Sequence, residues 1–222
     1  MSDLQVPVPM TQRLFYPSSA VPQNRTKIGE IASRWYQEIR QAEQLTNVPG
    51  SIIVAVIFTE SAGNPSIVSS AGAVGLMQLK PQTGNDVIHL EKKAGRLTEA
   101  ETAVLRKHLG ARLDGPLKQK YLSHKIRENN YTGNVMTKAD LQKPELNILL
   151  GAMYLGILID QHYENGILRL DKVVMRYNQG YFFKIPAGNV EATLDFAKGK
   201  SKEAYTYALK VIGKNGLIES QA

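Results

Sequence analysis

Two kinds of hydrophobic pattern alternate along this chain. From Lys27 to Leu45, Ile28, Ile31, Ala32, Trp35, Ile39 and Ala42 recur at three- and four-residue spacing, which predicts an amphipathic helix packed through one face. Trp35 lies on that stripe and is read as core rather than as a substrate platform. The stretch Ser51 to Pro65 behaves differently: an unbroken apolar run, Ile52 to Phe58, leads into Thr59 and Glu60. No polar face remains, so this helix is expected to be buried whole. Asn47 is read as its N-cap, Pro49 as its first turn, and Gly63 and Pro65 as its stop. Leu146 opens a second helix apolar over most of its circumference, read as central, running to about Glu164 and stopping at Asn165-Gly166. Within it Gly151 and Ala152 leave room for a neighbouring helix. Shorter helices are expected over Leu170 to Asn178 and Ser201 to Ile212. The fold class is therefore mainly α.

The remaining stretches punctuate these helices. Residues 64–83 read as a small hairpin or irregular loop in which Gly72 and Gly75 permit close backbone approach, with a helix entered near Lys80-Pro81. Thr98 and Glu101 form a capping box that opens a helix through Leu105 and Leu109, ending around Asp114-Gly115. Pro116 to Asn129 reads as a basic helix bearing Lys118, Lys120, Lys125 and Arg127. Pro7, Pro9, Pro17 and Pro22 interrupt residues 1–26, which read as an extended arm. That arm is either a floppy tail or a segment that docks on a partner assembly through Val6, Val8, Leu14, Phe15 and Tyr16. The division expected is an arm over 1–26, one domain over 27–213 and a tail over 214–222.

Composition narrows the classes. At 222 residues with 43% apolar and 21% charged positions, the chain suits one globular domain that needs no staples. A net charge of +7, spread rather than clustered, suits anionic polymers in general and gives no nucleic-acid motif. Cysteine is absent, which excludes disulfides and thiol catalysis. The longest apolar runs are too short to span a bilayer. Residues 1–10 show no secretory signal pattern, so delivery outside the cytoplasm is expected to use a separate route. His89, His108, His124 and His162 lack metal-ligand spacing and are read as solvated surface; neither metal nor cofactor is expected. Gly72 to Gly75 lacks the lysine and serine of a phosphate loop.

The candidate chemistry centres on Glu60. In the last turn of a buried helix, desolvation and the negative end of the helix dipole both disfavour its ionised form. A carboxyl so placed becomes a proton donor near neutrality. An ordinary glutamate closing a core helix has the same local sequence, so the surroundings must decide.

Those surroundings resemble a known family. Glu60-Ser61, Asn64-Pro65, Val68-Ser69, Gly72-Ala73, Gly75-Leu-Met-Gln78, Pro81 and Thr83 resemble the first half of the soluble lytic transglycosylase (SLT) domain, of lysozyme-like fold. Asn147-Ile148, Gly151-Ala152, Tyr154-Leu155 and Tyr177-Asn178-Gln179-Gly180 resemble its later elements. Glu203 and Tyr207 fall in register with its final one. Departures are Lys80 for a usual methionine, Arg176 and Gln179 for small residues, Tyr181-Phe182-Phe183 for a Pro-Gly turn, and Ala204 for threonine. The family crosses the gap between its halves in fewer residues, so a helical insertion is expected at about 86–135. Its bland role is to cover one end of the domain; its sharper role is a basic wall against the glycan.

The resemblance implies a lysozyme-like fold with at most a small vestigial β-hairpin. It also implies cleavage of the MurNAc–GlcNAc bond of peptidoglycan, leaving 1,6-anhydromuramyl ends. Glu60 acts first as acid and then as base, and the sugar's own acetamido group replaces a second carboxylate. Ser69, Gln78, Tyr177, Asn178, Glu203 and Tyr207 are the expected substrate-binding residues, with Met77 beneath the groove. Two alternatives stay open. One is a goose-type muramidase that uses water and a second carboxylate, for which Asp86 and Asp171 are candidates. The other is a non-catalytic assembly protein with a glycan-binding groove. The delivery routes expected are carriage in a bacteriophage particle, release by a holin or passage through a secretion machine, with a virion or phage-lysis protein favoured because the arm could anchor it in an assembly.

Overall fold

A computed structural model describes residues 12–114 and 136–221. Val6, Val8 and the basic helix expected over Pro116 to Asn129, with Lys118, Lys120, Lys125 and Arg127, lie outside the described residues. Ten helices are described: α1 (Val21–Arg34), α2 (Tyr36–Thr46), α3 (Gly50–Ser61), α4 (Pro81–Lys93), α5 (Glu99–Leu109), α6 (Lys138–Leu141), α7 (Pro144–Asp160), α8 (Leu170–Gln179), α9 (Val190–Lys200) and α10 (Lys202–Ile212). One two-stranded antiparallel sheet joins β1 (Tyr163–Glu164) to β2 (Ile167–Leu168).

The two helices without a polar face form the centre. Ile52 to Ile57 of α3 are all buried, and so is nearly every residue of α7 from Leu146 to Ile159. Around them α1, α2, α4, α5, α8 and α10 each turn an apolar stripe inward and keep a polar side out. Trp35 is core as expected, its indole Nε1–H donating to the Gly63 carbonyl at 3.3 Å. The capping box of α5 is complete: the Thr98 hydroxyl accepts from the Glu101 amide at 3.2 Å, and the Glu101 carboxylate accepts from the Thr98 amide at 2.8 Å. The same device, Thr137 with Asp140, starts α6.

Several expectations change. The helix drawn from Lys27 to Leu45 is two helices, parted at Trp35 (φ −112°, ψ 25°), and the first begins at Val21 with Pro22 in its opening turn. Among the described residues helical turns therefore begin at Ser18, inside the stretch expected to be extended to residue 26. Of the arm's apolar residues, Phe15 and Tyr16 pack on the body, while Leu14 stays 59% exposed. Asn47 does not cap α3; it ends α2 in the left-handed region (φ 57°), and Pro49 precedes α3 without a side-chain cap. Helix α7 stops at Asp160, and Asn165-Gly166 (φ 55° and 77°) forms the two-residue turn of the β1–β2 hairpin. The tail expected over 214–222 packs against the body. Leu217 is fully buried, Lys214 donates its amide to the Arg13 carbonyl at 3.0 Å, and Gln221 donates to the Ser51 carbonyl at 2.9 Å. Nor are the histidines all solvated: His162 is buried, which depresses its pKa to about 4, and His108 meets Glu145 at 2.7 Å.

Candidate active site

Three segments converge on the exposed end of α3. The first is the loop between α3 and α4. Val68 bridges to Val74 and Val74 to Leu79, so the loop folds back on itself without becoming a sheet. Its floor is held by Asn147 of α7. That side chain accepts from the Met77 amide at 2.8 Å and donates to the carbonyls of Val74 at 2.9 Å and Leu141 at 2.8 Å. Gly75 makes this fit possible: with φ 83°, a Cβ there would lie 2.4 Å from the Leu141 oxygen. Ser61 of α3 donates to the Leu76 carbonyl at 2.8 Å. The second segment is the end of α8, where the Tyr177 hydroxyl donates to the Met77 carbonyl at 2.9 Å. The third is α10, whose Tyr207 hydroxyl donates to Glu60 Oε1 at 2.8 Å.

Together they enclose a cleft of about 800 Å³. Glu60, Ser69, Gln78, Tyr177, Asn178 and Glu203 all line it. An adjoining hollow of about 450 Å³ shares Glu60, Asn178 and Glu203 and adds Tyr207, Lys202 and Lys210. Of the residues expected to bind substrate, Met77 alone is absent from both walls. It is fully buried with its sulfur against Gly151, where an added Cβ would lie 2.3 Å away. Met77 thus supports the groove through its backbone, and Gly151 makes room for that side chain rather than for another helix.

Burial dominates the electrostatics of Glu60. Desolvation lifts its carboxyl from 4.5 to about 7; the Tyr207 hydrogen bond and the Lys210 ammonium oppose the rise, and the negative Glu203 adds to it. Burial also drives the phenols of Tyr177 and Tyr207 well above their ordinary value, so both stay hydrogen-bond donors. Glu203 is exposed and accepts from Asn178 at 3.2 Å. Ser69 is engaged by its own loop, its hydroxyl accepting from the Ala73 amide at 3.0 Å. Gln78 sits in the left-handed region (φ 46°) with its amide donating to the carbonyls of Ile67 and Gly75.

Neither carboxylate weighed as a hydrolytic partner reaches the cleft wall. Asp171 is fully buried against Arg169, at 2.7 Å. Asp86 is buried in α4, which raises its pKa to about 7, and it lines no part of the cleft. Among the described residues, Glu203 is the one carboxylate that shares this wall with Glu60. Sequence reasoning misses Tyr154, Gln179 and Lys210 as neighbours of the site, and reads Tyr181 to Phe183 only as a departure from a Pro-Gly turn. Tyr154 was hidden by its place on the apolar stripe of α7. Among the described residues no group of three metal-binding side chains forms, and no helix is long and apolar enough to cross a membrane.

Residues 37–105 match the transglycosylase SLT domain. An endo-type membrane-bound lytic murein transglycosylase A from Klebsiella pneumoniae subsp. pneumoniae is 34% identical over 149 residues, covering 66% of this chain and 52% of that protein. Its namesake from Citrobacter koseri is 30% identical over 175 residues, covering 78% of this chain and 64% of that protein. The chain thus spans about half to just under two thirds of the length of the curated relatives it matches.

Proposed function

We propose, since this chain belongs to the transglycosylase SLT family, that it cleaves the β-1,4 bond between MurNAc and GlcNAc in peptidoglycan without consuming water. One observation carries the reading: a single carboxyl, held near pH 7 by burial, faces a glycan-sized cleft. Close to its pKa a group can give and take a proton with equal ease, which is what one residue serving as both acid and base requires. Glu60 protonates the leaving glycosidic oxygen while the acetamido carbonyl of the muramyl residue attacks its own anomeric carbon. The Glu60 carboxylate then takes the proton of the C6 hydroxyl, whose oxygen displaces the acetamido group and closes the 1,6-anhydro ring. The proton that Glu60 spent returns to it, and water enters no step.

Within this scheme Tyr207 holds one oxygen of Glu60 and leaves the other for the substrate. Tyr177 and Asn147 fix the Met77 segment that forms the floor. Ser69, Gln78 and Asn178 offer polar groups for the acetamido and hydroxyl substituents. The positive net charge suits an anionic wall polymer. Delivery as part of a bacteriophage particle, anchored through the proline-rich first residues, belongs to the proposal and rests on their composition. Absence of the protein from purified particles refutes that route.

Glu203 gives the hydrolytic alternative its footing, because a carboxylate on the same wall could activate water. Mass spectrometry of muropeptides released from purified sacculi decides. Anhydromuramyl ends support the transglycosylase, and reducing ends that carry ¹⁸O from labelled water support the hydrolase. Glu60→Gln should abolish release by several orders of magnitude under either chemistry. Biological activity left intact by that variant, with no muropeptide released by the wild type, would mean a binding protein rather than an enzyme.

A further inference from the structure

Past Gly180 (φ 96°) the chain presents three consecutive aromatic residues to the cleft, Tyr181, Phe182 and Phe183. The other lining residues are mostly small or polar, Ser69, Ser70, Gln78, Asn178 and Gln179 among them. The aromatic turn is held from behind. Arg176, in the last turn of α8, donates Nε–H to the Phe183 carbonyl at 3.3 Å and Nη1–H to Gln161 Oε1 at 3.2 Å. Gln161, the residue that closes α7, donates in turn to the Tyr181 hydroxyl. Phe183 leans on Phe196 of α9 with ring centroids 6.3 Å apart. Tyr181 and Phe182 meet edge to face, 5.0 Å between centroids and 83° between planes, and Phe182 is 37% exposed.

Two features of this arrangement suit a ligand that enters the cleft. A large ring exposed on a cleft wall gains nothing from water. A guanidinium fork that ties two helices to the turn behind it restricts the rings' freedom before anything binds, which is how a preformed contact surface reduces the ordering cost of association. The natural complement is a flat apolar surface bordered by hydroxyls, and a pyranose ring presents one on its C–H face. The opposite, polar wall then meets the hydroxyl and acetamido substituents at the ring's edge.

We propose that Tyr181 and Phe182 form a sugar-stacking subsite at this side of the cleft, taking the apolar face of one pyranose of the glycan strand. Arg176 and Gln161 are its positioning residues. This assignment rests on the glycan reading of the cleft but not on any catalytic step.

Binding can therefore be measured in the catalytically silent background. Glu60→Gln protein is titrated by calorimetry with a β-1,4-linked N-acetylglucosamine hexasaccharide, alone and combined with Phe182→Ala, Phe182→Trp, Arg176→Ala, or both alanine changes. Phe182→Ala should weaken affinity roughly tenfold, the order of one aromatic contact and its buried face, and Phe182→Trp should restore it. Arg176→Ala should weaken binding by a similar factor without adding to Phe182→Ala in the double variant. In the active protein, Phe182→Ala should raise KM with kcat little changed. Equal affinity of Phe182→Ala and its parent overturns the subsite. Full additivity of the two alanine changes overturns the positioning role. Saccharide binding by the parent alongside absence of anhydromuropeptides from the wild type would instead refute the reaction proposed above and leave the subsite standing.

Discussion

Replacing Glu60 by glutamine should make the protein more stable, increasingly so toward alkaline pH. Burial holds this carboxyl at about 7 against an ordinary 4.5, so the folded state keeps a proton that the unfolded chain releases. Such a group's stabilisation is full below pH 4.5 and is lost as pH rises through 7. At ~1.4 kcal/mol per pH unit across that gap, the wild type has lost about 3 kcal/mol by pH 8. Roughly 1 kcal/mol of that is already gone at pH 5, where an unfolded glutamate is mostly ionised. The advantage of Glu60→Gln should accordingly widen by about 2–3 kcal/mol between pH 5 and pH 8. Asp86, also raised to about 7, titrates in both proteins and cancels from the difference. Glutamine keeps an oxygen to accept the Tyr207 hydroxyl, so the comparison isolates the charge. Urea unfolding at the two pH values measures it, and thermal melts should diverge by roughly 5–10 °C for a chain of this size. Stability curves that stay parallel across the range would refute the claim that the cleft desolvates this carboxyl.

Three further outcomes follow from the same contacts. Tyr207→Phe removes a hydrogen bond that favours ionised Glu60, so the alkaline limb of the kcat/KM profile should move up by about one pH unit. Release of muropeptides between pH 5 and 9 tests this, and an unmoved or acid-shifted limb argues against it. Asn147→Ala leaves the Met77 amide and two carbonyls without their buried partner, and should cost about 3 kcal/mol of stability in chemical denaturation. Gly151→Ala drives a methyl into the Met77 sulfur and should cost about 1–3 kcal/mol, with kcat falling because the Met77 carbonyl also anchors Tyr177; unchanged kcat would separate the floor from the chemistry.

How far the sequence could be read depended on how local the determining contacts are. Helices α3 and α7 were legible because an apolar run with no polar face has nowhere to go but the centre. The start of α5 was legible because both members of its capping box lie within three residues. Asn47 was assigned to the wrong helix because asparagine serves both as an N-cap and as a left-handed C-terminal residue, and local sequence does not separate the two. Pro22 was read as a breaker although proline fits the first turn of a helix. Asn165-Gly166 reads equally as a helix stop and as the preferred two-residue hairpin turn, and the pairing of β1 with β2 makes it the turn. Helix α9, begun by the Asn189 side chain at the Ala192 amide, was not anticipated. Glu60, Gln78 and Tyr177 share a motif register and line one cleft, yet nothing in their spacing reveals that the Tyr177 hydroxyl reaches Met77. The clamp from Arg176 to Gln161 joins two helices and was likewise invisible in one dimension.

The strand of residues around Arg13 and Leu14 lies beside Lys214, and Arg13 pairs with Asp195 at 2.6 Å. The described chain thus begins beside the segment that follows α10, while its last described residue, Gln221, lies against Ser51 in the first turn of α3. A group fused upstream therefore leaves beside α9 and α10, whereas one fused downstream leaves beside the first turn of α3, so the two tethers pull on different faces of the body.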